Sequence, residues 1–311
     1  MPTDIPGIHH VTAVGSDPER NYRFYTDTLG LRLVKRSINQ DDVSVYHLFY
    51  ADRSGTPGTS MTFFPYPTAQ PGRVGTGQAS GVQFLIPDAA VEYWRERLAD
   101  AGVDVREPIE RFGDTVIPFA DPDDTPLELV ARADAPDGDP PAGPVPSEHA
   151  IRGFFGVTLS LASAESTVPL LQVMGYEETN RSPERTRYRA GGDLGAVVDV
   201  REDPQAPRGR SGAGTVHHVA FEVADDEQSA WRDVLIEQGL RPTEIIDRKW
   251  FNSIYARTKG GVLFEFATKS PGYTVDEDID DLGGRLVLPE WLEDRREEIE
   301  AGLPDLSVSQ S

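Results

Sequence analysis

The sequence predicts an α+β fold of four successive β-α-β-β-β modules grouped into two domains. Three observations point there. One pattern of strand, polar turn and glycine-terminated helix recurs four times. A Pro/Gly/Asp-rich stretch divides the chain near its middle. The length, 311 residues with 38% hydrophobic, suits two cores on a prior of roughly 150 residues per domain.

The repeats are visible on alignment of GIHHVTAVGSDPERNYRFYTDTLGLRLV from Gly7, ASGVQFLIPDAAVEYWRERLADAGVDV from Ala79, GFFGVTLSLASAESTVPLLQVMGYEET from Gly153 and TVHHVAFEVADDEQSAWRDVLIEQGLRP from Thr215. Each opens on a short alternating apolar strand and a turn rich in Asp, Ser or Glu. Each continues as a helix that stops near a glycine (Gly30, Gly102, Gly175, Gly239), where a C-cap needs positive φ. Strand-forming stretches such as 43–50 and 253–257 follow, and a turn such as Lys259-Gly260-Gly261 introduces the last strand, VLFEFA. The modules run over 7–67, 79–132, 153–201 and 214–268.

DAPDGDPPAGPVPSEHA reads as a linker over 134–150, between domains at 1–133 and 151–272. From 273 to 311 the character changes: TVDEDIDDLGG reads as acidic and extended, and PEWLEDRREEIEAGL as a short amphipathic helix. Its apolar stripe would be Trp291, Leu292, Ile299 and Leu303, packed on the domain surface, with a frayed SVSQS after it.

Composition excludes several functions. With no cysteine there is neither a disulfide framework nor a thiolate metal site, so metal chemistry falls to His, Asp and Glu. The net charge of −22, from 52 acidic and 30 basic residues, repels nucleic acid and anionic membranes. Only four of the basic residues are lysines, a pattern resembling a halophilic proteome, whose acidic surface salt screens. No apolar run nears the roughly 20 residues of a membrane span, and MPTDIPGIHH lacks the regions of a signal peptide. The expectation is a cytoplasmic protein, with homo-oligomerisation left open.

Four of the six histidines form two pairs, His9-His10 and His217-His218, each at the start of a module's first strand. The aligned positions in the other modules are Ser80-Gly81 and Phe155-Gly156. A requirement of the repeat itself would be met in all four modules, so the pairs point to function. Strand alternation puts Val11, Val219, Phe221 and Val223 against the helices, and His10 and His218 on the opposite face as ligands. His9 and His217 are then neighbours of the ligands or ordinary strand-start residues.

A third ligand is expected at Glu265, a charge in the apolar strand Val262-Leu263-Phe264-Glu265-Phe266. An ionised carboxylate there is costly unless paired or metal-bound. Glu128 holds the same place in module two without a histidine opposite, and reads as a relic or a surface residue; His47 and His149 have no repeat-related partner. Two His and one carboxylate with open positions suit non-haem Fe(II), and the same set can hold catalytic zinc. Ligands from the first and last modules require modules one and four to pair in space around one metal, and two and three to pair separately.

Histidine on a first strand and Glu on a last strand of β-α-β-β-β repeats resembles the vicinal-oxygen-chelate superfamily, also called the glyoxalase/bleomycin-resistance/dioxygenase superfamily. Closer still is the resemblance to hydroquinone-type ring-cleaving dioxygenases. It spans residues 5–304 and is carried in order by GIHHVTAVGSDPERNYRFYTDTLGLRLVKRSINQDD, MTFFPYP, GTVHHVAF, DRKWFNSIYARTKGGVLFEFAT and LVLPEWLEDRREEIEAGLP. The resemblance implies Fe(II) at His10, His218 and Glu265, with Mn(II) or Zn(II) as alternative occupants. It also implies pocket roles for His9, Thr12, His217, Arg248 and Tyr255. An Arg can pair with a phenolate oxygen and a Tyr can relay a proton.

The expected activity is ring cleavage of a hydroquinone or catechol by O2, in aromatic-compound degradation. One alternative is a glyoxalase-type isomerase, whose modules would each supply a last-strand carboxylate; Met61-Thr62-Phe63-Phe64 offers phenylalanine there, which favours three protein ligands. The other is a non-catalytic binder of small aromatics or drugs, which would not need the histidine pairs.

Overall fold

In the computed structural model, which describes residues 2–308, each expected module is present as one strand, one helix and three further strands. Module one comprises β1 (Ile8–Gly15), α1 (Pro18–Arg23), β2 (Arg32–Asn39), β3 (Asp42–Ala51) and β4 (Ser60–Pro65). Module two comprises β5 (Gln78–Pro87), α2 (Val91–Asp100), β6 (Ile109–Arg111), β7 (Asp114–Ala120) and β8 (Pro126–Arg132). Module three comprises β9 (Gly153–Leu161), α3 (Val168–Val173), β10 (Glu177–Arg181), β11 (Thr186–Arg189) and β12 (Val197–Glu202). Module four comprises β13 (Thr215–Val223), α4 (Gln228–Glu237), β14 (Ile246–Asp247), β15 (Asn252–Arg257) and β16 (Leu263–Thr268).

The strands form two eight-stranded half-barrels, ordered β14-β15-β16-β13-β1-β4-β3-β2 and β10-β11-β12-β9-β5-β8-β7-β6. Modules four and one therefore share a sheet, as do three and two, and each sheet takes one module from either side of the 134–150 stretch. Within each sheet the two first strands meet antiparallel at the centre, and each runs parallel to its own module's last strand. This seam is what brings a residue of β1 near one of β16.

Alternation sorts the two faces. Val219 and Phe221 lie opposite Phe264 and Phe266 and are fully buried on the helix side, where Trp231 of α4 stacks on Phe266 at 5.7 Å between ring centroids. Burying such a side chain contributes about 1.5–3 kcal/mol, and truncating one to Ala costs about 3–5 kcal/mol. On the other, concave face stand His218, Ala220, Glu265 and Ala267. The helix of module one differs from the simple expectation. Pro18 starts it and Asp17 caps it, accepting from the Arg20 amide at 3.0 Å, but Phe24–Thr28 winds as a π-helix. The wider turn lets adjacent Phe24 and Tyr25 both bury, with Tyr25 stacked on Tyr50 at 5.1 Å. All four helices end near a glycine of positive φ: Gly30 (71°), Gly102 (72°), Gly175 (91°) and Gly239 (76°).

The C-terminal extension is a strap rather than an extended tail. It crosses the edge strand β2: Ser37 Oγ donates to the Val287 carbonyl at 2.7 Å, and the Val287 amide to the Arg36 carbonyl at 2.9 Å. Covering this edge removes a row of free backbone groups. Tyr273, Leu282 and Val287 then fill the concave face beside Phe49, Trp250 and Phe251. The expected helix begins as a 3-10 segment, Glu290–Arg295, and continues as α5 (Arg296–Gly302). That change of period turns Trp291 out of the stripe, 57% exposed, while Leu292 and Ile299 remain buried. Of SVSQS, only Ser307 and Val308 are among the described residues. None of the described helices is long and apolar enough to cross a membrane.

Candidate metal centre

His10 on β1, His218 on β13 and Glu265 on β16 converge on the concave face of the first sheet. Register explains why: Thr12 lies opposite His218 and His10 opposite Ala220, whose other neighbour is Glu265. Glu265 Oε2 is 3.3 Å from His10 Nε2 and 2.9 Å from His218 Nε2, and the two nitrogens are 3.4 Å apart. Three donors held about 2.1 Å from one ion at right angles would stand roughly 3.0 Å apart. All three residues are buried, Glu265 completely, and its Oε2 has no hydrogen-bond partner of sound geometry. Burial alone would raise the Glu265 pKa, yet His10 and His218 hold it well below the usual range. A triangle of lone pairs in a buried site fits a divalent cation with its remaining positions open.

The pairs orient the candidate ligands. His9 Nδ1 is 2.9 Å from His10 Nδ1, and His217 Nδ1 is 2.8 Å from His218 Nδ1. With Nε2 of His10 and His218 turned to the metal position, each Nδ1 carries the proton and donates to its neighbour, which must therefore be neutral. Burial and then His10 lower the His9 pKa to about 3, and burial and then His218 lower that of His217 to about 4, which favours the neutral ring in each, although His217 is an exposed residue. His9 also packs edge-on to Phe251 at 5.1 Å. The sequence reading overlooked Ser253, which shares the inward face of β15 with Tyr255 and donates from Oγ to Glu265 Oε1 at 2.5 Å. Its signal was two-residue spacing alone.

A cavity of about 310 Å³ opens over the triangle. Its module-four wall carries Arg248 and Tyr255. Arg248 donates from Nε to the Tyr255 hydroxyl at 3.2 Å and is clamped across the mouth by Asp41 and Gln40, at 3.2 and 3.4 Å. Burial, then the charge of Glu265, raises the Tyr255 pKa, so the phenol enters any reaction protonated. Thr12 is fully buried and turns to Thr62, its Oγ1 2.7 Å from that of Thr62, which in turn is 2.9 Å from His47 Nε2. His47, passed over for want of a repeat partner, lines the cavity.

Register also corrects the fourth-ligand position. Thr62 lies opposite Thr12 as Glu265 lies opposite Ala220, so module one offers threonine there and not phenylalanine. In the second sheet the corresponding residues are Glu128 and Asp199, opposite Gln83 and Thr158. Glu128 is not surface-facing: Arg111 grips it at 2.6 and 2.8 Å, while Arg187 and Arg185 hold Asp199 at 2.8 and 3.0 Å. Guanidinium groups neutralise this second set of acids. His149, which has no repeat-related partner, stacks on Tyr93 at 4.3 Å.

The family described as the Glyoxalase/Bleomycin resistance protein/Dioxygenase superfamily matches residues 7–129. The chain is 41% identical over 301 residues to a "Putative ring-cleaving dioxygenase MhqE" of Bacillus subtilis, covering 96% of this chain and 99% of the relative. It is 36% identical over 312 residues to a "Chlorohydroquinone/hydroquinone 1,2-dioxygenase" of Sphingobium indicum, covering 96% of each. A crystal structure of a "putative dioxygenase" from Bacillus subtilis superposes with a TM-score of 0.95 at 39% identity, over 99% of this chain and 100% of that one. Glyoxalase I from Zea mays shares the fold, with a TM-score of 0.64 at 17% identity over 85% and 92% of the two chains.

Proposed function

This chain belongs to the Glyoxalase/Bleomycin resistance protein/Dioxygenase superfamily, and from that premise we propose that it is an Fe(II)-dependent dioxygenase that opens the ring of a hydroquinone-type aromatic. The observation that carries the reading is the buried triangle of His10, His218 and Glu265 beneath a cavity walled by aromatic rings and one arginine-tyrosine pair. Two His and a carboxylate on one face are the donor set of non-haem Fe(II) oxygenases. Relatives that each cover 96% of the chain are named as a putative ring-cleaving dioxygenase and a chlorohydroquinone/hydroquinone 1,2-dioxygenase. When bound, Fe(II) supplies the path by which electrons pass from the ring to O2.

The chain's own residues do the rest. His9 and His217 fix the ligand tautomers, and Ser253 fixes the Glu265 carboxylate. Arg248, kept charged, faces the oxygen of an ionised phenol, and Tyr255 starts as a proton donor to an oxygen that gains charge as the ring opens. Phe49, Phe64, Trp250 and Phe251 line an apolar slot that receives a flat ring and excludes water. Both atoms of O2 enter the product as a C–C bond beside a hydroxylated carbon breaks. Thr62 in place of a fourth carboxylate speaks against the isomerase alternative.

The test is anaerobic loading with Fe(II), then oxygen uptake against a panel of hydroquinones and catechols. One O2 consumed per ring opened is expected. Thiol-dependent isomerisation of methylglyoxal without oxygen uptake would overturn the reading.

A further inference from the structure

We infer that His47 is a specificity residue that hydrogen-bonds a polar ring substituent not engaged at the metal, and so favours ligands with a second hydroxyl. The inference rests on the ring-ligand reading above and goes beyond it to a residue and a selectivity.

Besides the candidate ligand His10, the polar groups on the module-one wall of the cavity are Asn39, Gln40, Asp41 and His47. Three are already committed. Asn39 Nδ2 donates to the Tyr66 hydroxyl at 3.0 Å and its Oδ1 accepts from the Asp41 amide at 3.0 Å. Gln40 and Asp41 hold Arg248. His47 differs. Its Nε2 is tied to Thr62 Oγ1 at 2.9 Å, and Thr62 is tied to Thr12 at 2.7 Å. Its ring lies against Phe49 and Phe64, at 3.9 and 4.4 Å between centroids. The imidazole is thus fixed at one nitrogen and on both flanks. Nδ1 has no partner among the described residues and is not sealed in the protein, because His47 is a partly exposed residue lining the cavity.

A held ring with one free nitrogen is a preorganised recognition group, since little rotamer freedom remains to be lost on binding. The nitrogen serves a phenolic hydroxyl in either tautomer, because that hydroxyl both donates and accepts. Burial, then His10 and His218, also hold the His47 pKa well below its ordinary value, so it presents a neutral face. A ring anchored by one oxygen at the triangle must place any second oxygen against a wall. On the module-four side Arg248 and Tyr255 take the charge that develops at the reacting end. Across from them, His47 is the group left to read the remote substituent.

Binding tests this without turnover. The Fe(II)-loaded protein is titrated anaerobically with hydroquinone and with phenol, which lacks the second hydroxyl, by calorimetry. Wild type should prefer hydroquinone about 10- to 100-fold, the worth of one well-placed hydrogen bond in a desolvated site. In His47→Leu the ratio should fall toward one with phenol affinity and metal content unchanged, and His47→Gln should restore part of it. An unchanged ratio in His47→Leu, or equal weakening of both ligands, overturns the role of His47. Wild type that shows the preference but consumes no oxygen defeats the ring-cleavage reading and leaves His47 standing. Oxygen uptake with an unchanged ratio in the variant defeats His47 alone, and a wild type that binds neither ligand overturns both.

Discussion

Replacing Lys35 by Met should unfasten the C-terminal strap. The ammonium is fully buried on β2, paired with the carboxylates of Asp276 and Glu277 and 5.6 Å from the centre of the Trp250 ring. Methionine keeps most of the stem volume and removes the charge. Asp276 would retain Lys249 at 3.3 Å and the Trp250 indole N–H at 3.0 Å. Glu277 would not fare so well: its side chain is 2% exposed and its nearest other cation, Arg285, is 3.9 Å away. Leaving one member of a buried ion pair uncompensated costs about 3–5 kcal/mol. Unfolding entropy of roughly 2.1 cal/mol/K per residue gives about 0.65 kcal/mol/K for this chain, so the melting temperature should fall by about 5–8 °C. Calorimetry on Lys35→Met, Glu277→Gln and the double variant measures the coupling directly. The double variant should recover much of the loss, because the stranded carboxylate is gone. A Lys35→Met melting point within about 2 °C of wild type, or strictly additive losses, would refute the reasoning.

Three further outcomes follow from the site. Tyr255→Phe should leave metal content nearly unchanged and slow hydroquinone-dependent oxygen uptake by about 10²–10⁴-fold, the range for proton transfer by a positioned side chain; equal rates would remove Tyr255 from the chemistry. Ser253→Ala should weaken metal affinity by roughly 10–100-fold, since the Glu265 carboxylate loses its 2.5 Å donor, and a competition titration with a chelator reads this. The metal-free protein should be acid-labile, because His9 takes up no proton when folded until about pH 3 but does so near 6.5 when unfolded. Stability is therefore lost as pH falls through this window, by roughly 1.4 kcal/mol per unit from His9 alone. Buried Asp121, raised to about 6, opposes this: its contribution is lost as pH rises toward 6, so urea unfolding of His9→Gln should show a shallower acid limb.

Much of this was legible in the sequence for a physical reason. The repeat carries its own period, so four strand-helix-glycine units announced both the modules and their helix caps. Histidine pairs in only two modules marked the seam, and the charge of Glu265 in an apolar strand marked its partner. Other features depend on register or on distant contacts. That Thr62, and not phenylalanine, stands at the fourth position follows only from knowing that β4 pairs with β1 at Thr12. His47 and Ser253 look like ordinary strand residues until the half-barrel curls them toward the cavity and the carboxylate. The strap was hidden because its anchor, Lys35, lies more than 200 residues away from its partners.

The proposed function requires a single metal shared by the two ends of the chain. Its most direct test is metal content per chain after anaerobic loading with Fe(II) and removal of excess, in wild type, His10→Ala and His218→Ala. About one ion per chain in wild type and loss of binding in either variant, with the circular dichroism of the fold retained, is the predicted result. Stoichiometric metal in both folded variants would contradict it.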